Sequence, residues 1–151
     1  MLNAYHLYRI AHQLYKWKIP FLPKLIKLLI FLLYNSSIPY EAKLGKGTRF
    51  GYGGIGVVLH KRTVMGRNCM IGSNVTVGGK SGLYEVPVFG DNVYIATGAK
   101  ILGPIKIGNN VTIGANAVVI SDVPDNAVVA GVPARIIRID SEAAAQNKKE
   151  E

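Results

Sequence analysis

Apolar residues recur at every sixth position through the middle of the chain. The residue after each is often glycine, and the residue four positions on is usually small or β-branched. Neither an α-helix nor an alternating strand has this period, so the hexads predict an all-β solenoid of very short parallel strands, with two inward-facing residues in each hexad. The first series is Leu59, Met65, Ile71, Val77, Phe89, Ile95, Ile101, Ile107, Ile113 and Val119, and the second is Thr63, Cys69, Val75, Val93, Ala99, Ile105, Val111, Ala117 and Val123.

Two stretches interrupt the hexads. The earlier hexads, which begin at Leu44 and Phe50, lie three residues out of phase with Leu59, so the stretch GYGGIGVV (51–58) holds three extra residues. Its four glycines tolerate the backbone angles of a bulge. The second stretch, GKSGLYEVP (79–87), lacks the glycine signature and predicts a loop that leaves the coil. Function is often located in loops held on a rigid scaffold.

A basic, apolar segment precedes the hexads. Tyr5, Tyr8 and Tyr15 have helical spacing, Pro20 and Pro23 are expected to end that helix, and a second helix is expected at Lys24–Tyr34. The second helix is too short to cross a bilayer, and the order of charges does not fit a cleavable signal. Two interpretations stay open: a helical cap packed on the solenoid or on a partner subunit, and an anchor lying in the plane of a membrane.

These features divide the chain into an amphipathic helical lead (1–35), the solenoid (36–137) and a polar tail (138–151). The formal net charge of +9 favours anionic partners. The solenoid shows no basic stripe with interleaved aromatic residues, so no nucleic acid is expected as a partner. Cys69 is the single cysteine, which fits a reducing compartment. The sequence contains no Cys/His cluster that would predict a metal site. We therefore expect a cytoplasmic protein, on the inner face of the membrane if the lead is an anchor.

Several ordered motifs resemble the left-handed β-helix hexapeptide-repeat acyltransferases, in particular the serine acetyltransferase branch. They are AKLGKG, VTVGGKSG, TGAKILGPIKIG and AGVPAR, within residues 38–137. The resemblance implies a left-handed parallel β-helix, a homotrimer, and acetyl-CoA as co-substrate in the groove between two neighbouring β-helices. The motif positions that would bind the cofactor are Gly79, Thr97, Gly98, Lys100, Ala115 and Arg135, with Lys100 and Arg135 near the phosphates.

The acceptor side departs from that branch. The Asp-His pair of the family falls at Tyr52 and Gly53, and its second active-site histidine falls at Val86. With its short length and basic helical lead, the chain resembles O-acetyltransferases of polysaccharide biosynthesis. The favoured acceptor is therefore a hydroxyl of a small molecule or sugar. The alternatives are a serine O-acetyltransferase of cysteine biosynthesis and a non-catalytic β-helical scaffold. A β-helical carbonic anhydrase would need three zinc-binding histidines, and the solenoid has one.

That histidine, His60, is the candidate general base. A neutral imidazole at cytoplasmic pH can remove the proton of an attacking hydroxyl. Because His60 follows the inward-facing Leu59, it is expected to point outward at the corner where the glycine bulge ends. A solvated surface histidine is the alternative. Glu85 or Asp91 would orient the imidazole, and Glu85, Tyr84 and Tyr52 are the candidate acceptor-binding residues.

Overall fold

Two α-helices precede a left-handed parallel β-helix whose strands are mostly two or three residues long. The structure is a computed structural model that describes residues 2–141. The helices are α1 (Ala4–Lys16) and α2 (Leu22–Tyr34). The strands are β1 (Lys43–Leu44), β2 (Arg49–Phe50), β3 (Val58–Leu59), β4 (Val64–Met65), β5 (Met70–Ile71), β6 (Thr76–Gly78), β7 (Val88–Phe89), β8 (Tyr94–Ile95), β9 (Lys100–Leu102), β10 (Lys106–Ile107), β11 (Thr112–Ile113), β12 (Val118–Val119), β13 (Ala127–Gly131) and β14 (Ala134–Ile139).

The strands stack into three walls that meet at three corners. The walls are β1-β4-β7-β10, β2-β5-β8-β11-β13-β14 and β3-β6-β9-β12, and all pairs are parallel except β13 with β14. Phe89 pairs with Ile107, 18 positions on, which is the regular coil. The register lengthens to 21 between Leu44 and Met65, because of GYGGIGVV, and to 24 between Met65 and Phe89, because of loop 79–87. Both extra segments therefore leave the walls above them regular.

The core consists of the two inward-facing series that the hexads predict. Every member of both series is buried, and Ile71, Ile95 and Ile113 form one column without solvent exposure. At the corners between walls the chain turns through asparagines with positive φ, such as Asn92 (φ 56°) and Asn110 (φ 57°). Asparagine tolerates this conformation better than most residues. The predicted solenoid is therefore confirmed in its inward-facing positions.

The predicted bounds of three elements need correction. The first helix ends at Lys16, before either proline is reached, and Lys18 leaves the helical path with φ 57°. Pro23 does not end a helix, because it lies in the first turn of α2, where a missing N–H costs nothing. Strand β14 continues to Ile139, two residues into the predicted polar tail. Residues 142–151 of that tail lie outside the described residues.

The first helix packs on the lower end of the β-helix. Its buried face consists of Ala4, Tyr5, Tyr8 and Ala11. The Tyr5 hydroxyl donates to the Gly45 carbonyl at 2.9 Å, and the Tyr8 hydroxyl donates to the carbonyl of Ala42. Burial raises the pKa of Tyr8 to about 12. The cap interpretation thus describes α1, and no helix of the described residues is long and apolar enough to span a membrane.

The glycine bulge receives the start of α1. Residues Gly51–Gly54 form an irregular 3-10 turn, in which Gly54 has φ 102°. A Cβ on Gly54 would lie 3.1 Å from Cβ of Ala4, so only glycine lets α1 approach this closely. Strand β3 separates the bulge from His60.

Candidate active site at the His60 corner

His60 lies at the corner that follows β3, directly beneath the point where loop 79–87 leaves the coil. Leu59 pairs with Val77, and the backbone N–H of His60 donates to the Val77 carbonyl at 3.0 Å. The next residues along that upper strand, Gly78 and Gly79, begin the loop. The His60 side chain is half-buried. A histidine and a long exposed loop therefore share one corner, as an acceptor site would require.

The imidazole of His60 is oriented by the main chain. The backbone N–H of Arg62 donates to Nδ1 at 3.1 Å. Since Nδ1 accepts this bond, the proton of the neutral ring lies on Nε2. Desolvation lowers the pKa of His60 below its ordinary 6.5, and the nearby charges of Arg62 and Lys61 lower it further. The ring is therefore neutral near pH 7 and presents an N–H at Nε2.

Arg62 ties the loop to the wall beside His60. Its Nε and Nη2 donate to the Tyr84 carbonyl at 3.0 and 2.5 Å, and its guanidinium carbon lies 4.0 Å from the centre of the Tyr84 ring. Arg62 is not among the residues singled out from the sequence. The sequence did contain a signal for this contact, namely an arginine two residues after the histidine and an aromatic residue in loop 79–87. A planar guanidinium can stack on an aromatic ring.

Within one chain, neither candidate carboxylate contacts His60, and a carboxylate from a neighbouring subunit stays a prediction. Glu85 is exposed and makes no hydrogen bond or ion pair with another described residue. Asp91 follows β7 at a different corner, where its Oδ1 accepts the backbone N–H of Arg67 at 2.7 Å. Val86, the position at which the resemblance places a second active-site histidine, is buried and packs against Gly79 at the base of the loop.

Tyr52 does not lie at the His60 corner. It is strongly exposed in the glycine bulge, next to Gly51, which stacks on Gly72 in the coil above. It belongs to the corner that precedes β3, whereas His60 belongs to the corner that follows it. Tyr52 and Tyr84, both predicted to contact the acceptor, are therefore not brought together within one protomer.

Most of the predicted cofactor positions share that other corner. Thr97 lies below Ala115, and the backbone N–H of Asn116 donates to the Thr97 carbonyl at 2.9 Å. Gly98 has φ 78°, and a Cβ there would lie 2.0 Å from Oδ1 of Asn116. Lys100 Nζ donates to the carbonyls of Asn74 and Gly98 at 2.9 and 2.8 Å. These residues form a polar edge with exposed main chain.

The last two predicted cofactor positions, Arg135 and Gly79, lie at different corners. Arg135 pairs with Ala130 in the β13–β14 ladder, and Ala130 stacks over Gly114 above the Thr97 edge. Gly79 lies instead at the His60 corner, on the opposite edge of the wall β3-β6-β9-β12. Among the described residues, no group of three or more His, Cys, Asp or Glu side chains could hold a metal ion.

Comparisons with known proteins point to one family. A model of the family "Bacterial transferase hexapeptide (six repeats)" matches residues 87–121. A serine acetyltransferase of Synechococcus elongatus is 41% identical over 132 residues, which cover 86% of this chain and 54% of the relative. A serine acetyltransferase of Staphylococcus aureus strain Mu50 is 40% identical over 141 residues, covering 92% and 66%. The chain thus spans roughly half to two thirds of the length of these relatives.

Solved structures of similar sequence share the fold. A serine acetyltransferase in complex with cysteine matches with a TM-score of 0.86 at 34% identity, over 98% of this chain and 58% of that one. A serine acetyltransferase from Brucella abortus strain S19 in complex with coenzyme A matches with a TM-score of 0.85 at 34% identity, over 91% and 56%.

Proposed function

We propose that this chain, which belongs to the hexapeptide-repeat transferases in their serine acetyltransferase-like branch, transfers an acetyl group from acetyl-CoA to a hydroxyl of a small acceptor. The observation that carries the proposal is the meeting of His60, Arg62 and Tyr84 at one corner. A neutral imidazole can accept the proton of an attacking hydroxyl, and a loop fixed beside it can hold the acceptor, which suits O-acetyl transfer. A non-catalytic scaffold would need neither.

The proposed acetyl-CoA site lies between two copies of the chain. Thr97, Gly98, Lys100 and Ala115 lie along one edge of the wall β3-β6-β9-β12, and His60 and Gly79 lie along the other. In a closed trimer, one edge of each protomer faces the opposite edge of its neighbour. A homotrimer therefore completes three equivalent sites, with Lys100 and Arg135 available to the phosphates of the cofactor.

In the proposed reaction, the acceptor oxygen attacks the thioester carbonyl and its proton passes to His60. The resulting tetrahedral oxyanion collapses, the C–S bond breaks, and the coenzyme A thiolate takes a proton as the acetyl ester leaves. A base needs a free lone pair, so His60 must release the Arg62 amide from Nδ1 during this step. A second role fits the bond pattern without that release: the Nε2–H donates to the oxyanion, and the proton of the acceptor hydroxyl passes to solvent water.

The proposed acceptor is L-serine in preference to a sugar. The related proteins carry the name serine acetyltransferase, and nothing among them favours polysaccharide biosynthesis. Glu85 also offers an exposed, unpaired carboxylate on the loop, which suits the ammonium group of an amino acid. Tyr84 and, from a neighbouring copy, Tyr52 are the other proposed acceptor contacts. A sugar hydroxyl is the alternative acceptor.

The test is release of coenzyme A thiol from acetyl-CoA, recorded with L-serine, with a panel of sugars and with no acceptor. We expect release that depends on L-serine and formation of O-acetylserine by mass spectrometry. Release with sugars alone would support the alternative acceptor, and no release with any acceptor would support the scaffold. We also propose a cytoplasmic location and contact of the helical lead (1–35) with a membrane.

A further inference from the structure

The outward face of α2 is apolar and uncovered. Ile30 and Tyr34 turn inward and are buried, as is Pro23 at the start of the helix. The opposite face, here called the α2 face, has side chains that are 42–69% exposed over a length of about 14 Å. A contiguous exposed apolar patch marks an interaction site. The α2 face consists of Leu25, Leu28, Leu29, Phe31, Leu32 and Leu33.

Two exposed aromatic residues lie in the chain segment that joins the two helices. Trp17 caps the end of α1 and is 65% exposed, and Phe21, just before α2, is 79% exposed. Phe21 has φ 68°, a conformation that bulky residues rarely adopt, so the turn holds the ring away from the protein. Exposed Trp and Phe beside leucines are characteristic of segments that enter the interface of a bilayer.

The positive charges around the α2 face favour an anionic lipid surface over a second copy of the chain as its partner. Lys16, Lys18, Lys24 and Lys27 flank it, and residues 2–40 contain no carboxylate side chain. Lys24 and Lys27 line one shallow groove of about 430 Å³ together with Leu28 and Phe31. A second copy that met this face with its own α2 face would bring lysines against lysines, whereas anionic lipid headgroups neutralise them while the leucines enter the acyl region.

We propose that the α2 face and the turn before it bind the surface of an anionic lipid bilayer, with α2 parallel to the membrane plane. This rests on the proposed membrane contact of the helical lead and gives it a surface, an orientation and a lipid charge. The face that α2 turns inward already packs on α1 and the core, so docking requires no rearrangement of the fold.

The sole tryptophan provides a fluorescent probe, because Trp17 caps the end of α1 just before the turn that leads into α2 and is strongly exposed. The full chain is titrated with vesicles of phosphatidylcholine alone and with vesicles of equal parts phosphatidylcholine and phosphatidylglycerol. We expect a blue shift of Trp17 emission and flotation with the anionic vesicles only. Leu28→Glu with Leu32→Glu should weaken binding at least about ten-fold, because charges oppose entry into the interface. The matched variant, Leu28→Met with Leu32→Met, should bind as the unaltered chain does.

Three results would overturn the proposal: no binding of the unaltered chain to anionic vesicles, unchanged binding of the glutamate variant, or a smaller assembly of the glutamate variant by light scattering, which would mean that a second copy covers the face. Lys24→Gln with Lys27→Gln should weaken anionic binding and reduce its salt dependence. Thiol release with a soluble acceptor should be the same in all these variants, so failure of membrane binding is distinguished from failure of the proposed enzyme activity.

Discussion

The backbone amide of Arg62 donates a hydrogen bond to Nδ1 of His60, while the side chain of the same arginine holds the carbonyl of Tyr84. One residue therefore fixes both the ring that would handle a proton and the loop that would hold the acceptor. It also sets the neutral tautomer, which leaves the N–H on Nε2. Two roles for His60, proton acceptor and oxyanion donor, then predict different behaviour of substituted enzymes.

Replacing His60 separates those roles. His60→Ala should lower turnover by about 10²–10⁴, the usual contribution of a positioned base. Glutamine can donate from a position close to Nε2 but cannot accept a proton at this pH. If His60 is the base, His60→Gln should be as slow as His60→Ala; if it is the oxyanion donor, glutamine should restore much of the rate. Thiol release at saturating substrates measures this, and near-normal turnover of His60→Ala would remove His60 from the mechanism.

The pH profile should show the lowered pKa of His60. Activity needs the neutral ring, so kcat/KM should fall on the acid side with a midpoint below 6.5. Lys61→Gln removes one cation that depresses this pKa and should move the midpoint part of the way back, since burial is the larger cause. The unfolded chain binds the His60 proton at higher pH than the folded chain does, so this group makes stability rise with pH through the same window. A rate that increases toward acid would contradict the neutral-ring mechanism.

Arg62→Lys keeps the charge but loses the planar pair of donors to the Tyr84 carbonyl. The loop should become less fixed, and we expect KM for the acceptor to rise about five- to thirty-fold, with little change in KM for acetyl-CoA. Arg67→Lys is the control, because the Arg67 side chain is exposed at another corner and makes no hydrogen bond to a described residue. Equal effects of the two substitutions would mean that Arg62 does not position the loop.

Gly98→Ala and Gly82→Ala form a matched pair for the proposed cofactor edge. Both glycines have φ near +80°, but a Cβ on Gly82 meets nothing within 4 Å, whereas one on Gly98 would meet Asn116. Gly82→Ala should cost about 1 kcal/mol of stability from backbone strain alone, and Gly98→Ala about 2–4 kcal/mol. Urea unfolding measures both. Only Gly98→Ala should also weaken acetyl-CoA binding, and equal affinities would remove Gly98 from the cofactor site.

The trimer is tested by complementation between inactive chains. His60→Ala removes the acceptor side of the site, and Lys100→Ala removes part of the cofactor side, which lies on the opposite edge of the wall. If each site takes one edge from each of two neighbours, unfolding and refolding the two variants together should restore activity that neither has alone. A monodisperse monomer by light scattering, or no recovery in a confirmed mixed assembly, would place the whole site within one chain.

The sequence predicts the solenoid well because its signal is local and repeated. Each hexad independently assigns an inward position, so Ile71 or Val111 can be recognised as core without knowing what lies opposite. Loop 79–87 is visible for the same reason, as a gap in a regular series. The helices are less exact at their ends, since a proline such as Pro23 can either end a helix or begin one.

The site is harder to predict because it depends on which corner each residue occupies. Tyr52 is close to His60 in sequence, yet a strand separates them, and Tyr84 reaches the His60 corner from a loop 22 residues beyond Arg62. The imidazole accepts its hydrogen bond from a main-chain amide. Every residue except proline carries such an amide, so no residue type in the sequence indicates this partner. The function of the bulge depends on Ala4, nearly fifty positions earlier, which no local pattern indicates.

The register of the coils returns to 18 after each insertion, so a change of length at one corner is not transmitted to the walls above it. Evolution can therefore lengthen, shorten or exchange loop 79–87 while the buried columns keep the same partners. If the loop binds the acceptor as proposed, a loop grafted from a relative at this corner would change the acceptor without disturbing the buried columns.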